Sequence, residues 1–219
     1  HRRDSVLREI SQKWGNDQTI TGPFITVPFK VFFKDAKGKS QYNINYLNIL
    51  PETLEIDGEI KPEIRYRSLF EAVLYNANLN LKGNFKLPSV DELNIEKKNI
   101  LWDKAMLSIG ITDMRGIQDN ITVDFNGSSY NAKPGLQTTD LADSGVCATL
   151  GHLDHDDPNT FSINLNLNGS EQINMMPVGE TTTVHIQSSW PSPSFNGAFL
   201  PATREISKKG FSADWKILH

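Results

Sequence analysis

An all-β domain, antiparallel and sandwich-like with a short N-terminal helix, is what this 219-residue sequence predicts. Two observations carry the prediction. Apolar residues recur at every second position in several segments, the mark of strands with one face buried. Asn-Gly pairs punctuate those segments, supplying the two positive-φ residues that tight antiparallel hairpins need.

The first element is the exception. Val6, Leu7, Ile10 and Trp14 fall on one helical face, with Asp4 or Ser5 to cap it and Gly15 to stop it. Residues 1–15 therefore read as a helix and 16–219 as one β-rich domain. Strands are expected over 23–33, 41–49 and 60–68. Next, Val73, Tyr75, Ala77, Leu79 and Leu81 alternate with Asn76, Asn78, Asn80 and Lys82. A short helical turn over 88–99 is weakened by Asn94 and Asn99. A strand over 101–109 follows, and then Ile121, Val123 and Phe125 alternate with Thr122 and Asp124. Residues 131–160 are the least regular part.

The cleanest alternation is Phe161, Ile163, Leu165 and Leu167 against Ser162, Asn164 and Asn166, and strands over 181–189 and 211–217 complete the series. Hairpin turns are expected at Asn126-Gly127, Asn168-Gly169 and Asn196-Gly197, with Asp57-Gly58 as a fourth candidate. The Leu-Asn-Leu runs at 79–83 and 165–169 echo each other. Two amphipathic strands explain them, and two related sheet halves are the alternative.

Composition narrows the function classes. A net charge of −4 without a basic stripe argues against nucleic acid as a partner. A single cysteine, Cys147, permits no internal disulfide. No run approaches the ~20 apolar residues of a membrane-spanning helix. Phosphate-cradling and dinucleotide glycine fingerprints are missing, so no cofactor is expected. Neither G-x-S-x-G nor S-x-x-K occurs, which removes the common serine-hydrolase signatures and leaves no catalytic residues assigned.

Landmarks run the length of the chain: Trp14-Gly15 and Ile20-Thr21-Gly22-Pro23, Leu50-Pro51, Arg65-Tyr66-Arg67 with Phe70-Glu71, and Trp102. They continue through Gly110-Ile111, Asp113, Arg115-Gly116-Ile117, Gly169-Ser170, Pro177 and Gly179. The last group is Trp190-Pro191 through Pro201, then Arg204, Gly210-Phe211 and Trp215. In this order and spacing the chain resembles the extracytoplasmic part of the bacterial inner-membrane CreD family, the cell envelope integrity proteins. Ser68 departs from the family pattern, where glycine is expected.

The resemblance implies membrane helices outside this chain, with His1 just after one and His219 just before the next. It places the domain on the periplasmic side of the cytoplasmic membrane. It also implies a non-enzymatic role in envelope integrity or stress response, with envelope proteins or glycans as partners. A periplasmic carbohydrate-active enzyme or sugar-binding module is the alternative.

Three groups of residues invite chemistry. His152, Asp154, His155 and Asp156 form the most metal-like cluster, with the imidazoles and carboxylates a divalent cation needs. A solvated acidic loop is the simpler reading, and Pro158 breaks a calcium-loop pattern. Trp190, Phe195 and Phe199 could stack on a sugar or receive a partner; packing into the core is the simpler reading. Among carboxylates, Glu71 and Asp113 lie in the family-like motifs, and Asp113 is expected to pair with Arg115 as a structural knot. His185 has the parity of an exposed strand residue.

Overall fold

The computed structural model describes residues 14–67 and 70–219. The expected helix over 1–15 falls almost wholly outside them, as does Ser68. The larger sheet contains β3 (Thr53–Arg67), β4 (Phe70–Phe85), β6 (Thr122–Phe125), β7 (Ser128–Asn131), β10 (Asn159–Ser170), β12 (Thr181–Ser188), β13 (Thr203–Ser207) and β14 (Gly210–Leu218). Its spatial order is β13-β14-β12-β3-β4-β10-β6-β7. The smaller sheet contains β1 (Gln18–Lys34), β2 (Ser40–Ile49), β5 (Met106–Ile111), β8 (Lys133–Pro134), β9 (Gly145–Thr149) and β11 (Ile173–Met176). Its order is β11-β1-β5-β9-β8, with β2 also on β1.

The period-two pattern explains how the sheets meet. Leu79, Leu81, Ile163 and Leu165 point inward from the larger sheet, and Ile25, Val27, Leu107 and Ile109 from the smaller. They share one buried cluster, so each sheet covers the apolar face of the other. The fold is all-β and mainly antiparallel, as the alternation predicts. Two pairings are parallel: β12 with β3, and β1 with β11. These join segments far apart in sequence, which alternation within a segment cannot reveal.

Turn chemistry is realised once as expected. Asn126 and Gly127, at φ 49° and 79°, close the β6–β7 hairpin between Phe125 and Ser128. Asp57-Gly58 and Asn168-Gly169 instead lie within β3 and β10. There glycine serves close packing: a Cβ at Gly58 would collide with Ile186 and Leu79, and one at Gly169 with the Tyr75 ring. Asn196-Gly197 sits in the connection from β12 to β13 rather than in a two-residue hairpin.

The turn expected over 88–99 forms as two 3₁₀ turns, the first ended by Asn94 at φ 52°. The irregular segment over 131–160 supplies β8 and β9 to the smaller sheet. The echoing runs at 79–83 and 165–169 lie side by side in one sheet, Leu79 opposite Leu165. They are adjacent amphipathic strands.

Candidate functional site

The outward face of the larger sheet carries the most concentrated polar chemistry. Because the pleat sends alternate residues outward, registered neighbours line up into rows across strands. One row reads Asp214, His185, Asp57, Asn80, Asn164 on β14, β12, β3, β4 and β10. The next reads Ser212, Gln187, Glu59, Asn78, Asn166. Strands lie about 4.8 Å apart, so each row covers about 19 Å. Between β12 and β10 this face dips into an open groove of about 460 Å³, lined also by Asp119 and Asn120.

The amides of the groove are held in a network. Asn80 Nδ2 donates to Asn164 Oδ1 at 2.7 Å, and Asn76 Nδ2 donates to the side-chain oxygens of Asn166 and Asn168 at 2.7 and 2.9 Å. Asn166 in turn donates to Asp119 at 2.6 Å. Each bond fixes which end of an amide is donor and which acceptor, so the face presents a set pattern to a ligand.

At the other side, His185 Nδ1 lies 2.6 Å from Asp214 Oδ1, while Thr203 donates to Asp214 Oδ2 at 2.9 Å. These bonds, the imidazole first and the hydroxyl second, hold the Asp214 carboxyl below the usual carboxylate range. With Nδ1 turned to Asp214, Nε2 is the ring nitrogen left to face a ligand. His185 lies on the outward face as its parity predicts, but half-exposed and with an orienting carboxylate beside it.

The aromatic block at 190–201 forms a strap over β14. Phe195 packs edge-on against Phe211 and Trp215, both at 5.6 Å between ring centroids. Both rings have inward parity on β14, so the strap covers part of that apolar face. Trp190 donates its indole N–H to the Ser192 carbonyl at 2.8 Å, and Phe199 is 44% exposed. None of the three enters the buried cluster, in contrast to the simpler expectation of core packing: they are half-buried or exposed at the sheet edge.

In the loop over 152–157, Asp154 Oδ1 accepts the backbone N–H groups of Asp156 and Asp157 at 2.9 and 3.0 Å. These bonds lower the carboxyl pKa below its ordinary value. His155 packs edge-on against Trp102 at 4.8 Å. The Asp154 carboxylate is thus engaged in shaping its own turn. Among the described residues, no three His, Cys, Asp or Glu side chains gather into a group suited to a metal ion.

Asp113 is nearly buried and forms the expected pair with Arg115, through Nε at 2.9 Å and Nη2 at 2.7 Å. The setting is a 3₁₀ turn over Met114–Gly116, with Asp113 as its N-cap. The guanidinium, with the Asn16 and Arg115 backbone N–H groups, pulls its pKa down to about 2. Glu71 is exposed.

Comparison with known proteins places these features in a family. The profile of the inner membrane protein CreD family matches residues 1–219. The chain belongs to this family of inner membrane proteins. It is 30% identical over 218 residues to the inner membrane protein CreD of Escherichia coli K12, covering 98% of this chain and 48% of that protein. The chain thus spans about half the length of the relative. In this CreD-family chain, no helix among the described residues is long and apolar enough to cross a membrane.

Solved structures resemble it weakly. A mutant M1 zinc metallopeptidase from Deinococcus radiodurans, bound to a Tyr-Ser-Ala substrate, aligns at TM-score 0.35 and 11% identity over 76% of this chain and 38% of its own. Yeast LTA4 hydrolase in complex with bestatin aligns at TM-score 0.27 and 10% identity, covering 74% and 26%. Scores this low transfer nothing about activity.

Sequence reading missed the groove as a unit. Its signal was present as outward-parity asparagines at 76–80 and 164–168 together with His185. What was lacking was the strand order that makes them neighbours.

Proposed function

We propose that this chain is the periplasmic-side domain of a bacterial inner-membrane protein that serves envelope integrity or stress response by binding envelope glycans. The observation that carries the reading is the amide-and-carboxylate groove from His185 to Asn166. A glycan offers hydroxyls that both donate and accept, and a fixed array of Asn oxygens, Asn nitrogens and carboxylates pairs with such groups. The face is open and extended, which suits a polymer lying across strands better than a small molecule enclosed on all sides.

Binding of muropeptides and soluble peptidoglycan strands, followed by calorimetry and by amide shifts in NMR spectra, tests it. Asn80→Ala and His185→Ala are expected to weaken binding by about tenfold each, since losing a ligand hydrogen bond in a polar site costs about 1–1.5 kcal/mol. Absence of any glycan binding by the wild-type chain would refute the reading.

A second reading, a carbohydrate-active enzyme, is favoured by the carboxylates of Asp57, Glu59 and Asp119 beside His185 in one groove. Mass spectrometry of glycans incubated with the chain separates the two. Cleavage products that vanish in Asp57→Asn or Glu59→Gln would favour catalysis; intact glycans with measurable binding would favour recognition.

A further inference from the structure

The β1–β2 hairpin extends beyond the two-sheet core. Its strands pair from Ile25 with Ile49 out to Lys34 with Ser40; Ile25, Val27 and Ile49 are in the core, and Phe29 and Leu47 pack partly buried against it. Farther out both faces are exposed, yet large apolar side chains continue on each, joined on one of them by Gln41, Asn43 and Asn45. Phe32 and Tyr42, each 51% exposed, stack at 5.7 Å on one face beside Ile44 and Tyr46. Val31 and Phe33 are exposed on the other face. An ordinary exposed hairpin would not carry large apolar side chains open to solvent on each side.

Charge follows the same segment. Lys30, Lys34, Lys37 and Lys39 cluster around it, against the single carboxylate of Asp35, in a chain whose net charge is −4. Asp35 is occupied at the turn, accepting the backbone N–H groups of Lys37 and Lys39 at 2.9 Å each. Lys30 Nζ sits 4.8 Å from the centre of the Tyr42 ring, its stem lying along the aromatic surface.

We propose that this hairpin, residues 28–46, seats in an anionic lipid surface. Aromatic side chains favour the boundary between headgroups and acyl chains, and lysines beside them reach the phosphates. A partner protein covers one face of a ribbon, whereas a lipid interface receives both faces, and exposed apolar residues lie on both, with the lysines of the tip beside them. β2 has no strand on its outer edge among the described residues. Its free N–H and C=O groups therefore hold the hairpin at headgroup depth, where water and phosphate satisfy them. Membership in an inner membrane protein family puts a bilayer within reach, and the inference is independent of glycan binding in the groove.

Co-sedimentation with vesicles of phosphatidylglycerol and phosphatidylethanolamine, compared with phosphatidylcholine vesicles, tests it at low salt. The wild-type chain is expected to bind the anionic vesicles, and added salt to weaken binding. A Phe32→Ser, Tyr42→Ser double variant should lose at least about tenfold in partitioning. Replacing the four lysines by Gln should lose as much and abolish the lipid preference. All these side chains lie outside the buried core, so unchanged thermal melting accompanies the loss. His185→Ala should bind vesicles normally, which separates this outcome from failure of the glycan reading. Failure of the wild-type chain to bind anionic vesicles overturns the proposal, as does undiminished binding by the double variant. A dimer abolished by the same substitutions, without vesicle binding, also overturns it and assigns the hairpin to self-association.

Discussion

At the scale of single residues, Gln18 and Asp113 do the most to tie distant segments together. The fully buried Gln18 amide donates to the carbonyls of Asp113 and Asn168 at 2.9 and 3.0 Å, and its oxygen accepts the Asp113 N–H at 3.1 Å. Gln18→Met keeps the volume and strands those backbone groups, so a loss of about 2–4 kcal/mol in urea unfolding is expected. Asp113 acts through its ionisation. Its folded pKa of about 2 lies below the ordinary carboxyl value of 3.8, so its stabilisation is fully present above about pH 4. It is lost as pH falls from there through about 2, and with Arg115 half-exposed the amount is about 1–2 kcal/mol. Asp113→Asn should remove that part of the acid dependence, as read from unfolding free energies between pH 5 and pH 2. The pairing of Asp113 with Arg115, two residues on, was legible in the sequence; Gln18, at the start of a strand, was legible only as a polar residue, because its partners lie 95 and 150 residues away.

At the scale of elements, two glycines separate packing from backbone conformation. A Cβ at Gly83 on β4 would run into the Thr53 carbonyl and the Phe161 ring, so Gly83→Ala should cost about 2–4 kcal/mol. Gly127 has open space around it but φ 79°, and Gly127→Ala should cost about 1 kcal/mol through the turn alone. Thermal unfolding of the two variants side by side reads the difference. The strap gives a third case. Phe195→Ala strips the cover from Phe211 and Trp215, with an expected loss of about 1–2 kcal/mol and a red shift of tryptophan emission. The aromatic richness of residues 190–201 was plain in the sequence. Its placement at the sheet edge rather than in the core was not, because burial depends on how far the smaller sheet reaches beneath β14.

At the scale of the whole molecule, the sequence by itself determined the class of fold, most strand positions and the family. Alternation decides which face of a strand is buried, and it depends only on neighbours in the chain. The Asn126-Gly127 hairpin was legible for the same reason. The tertiary structure alone decided which strands are neighbours, including the parallel pairing of β12 with β3 and the insertion of β9 beside β5. That choice rests on contacts between segments far apart in the chain, and it creates the rows of outward residues from which the groove is made. It also decided that Asp57-Gly58 and Asn168-Gly169 are strand interiors, where absence of a side chain admits Ile186, Leu79 and Tyr75, although the same dipeptides satisfy a turn. Local chemistry sets what each segment can become; packing sets where its polar face points and what it can meet there.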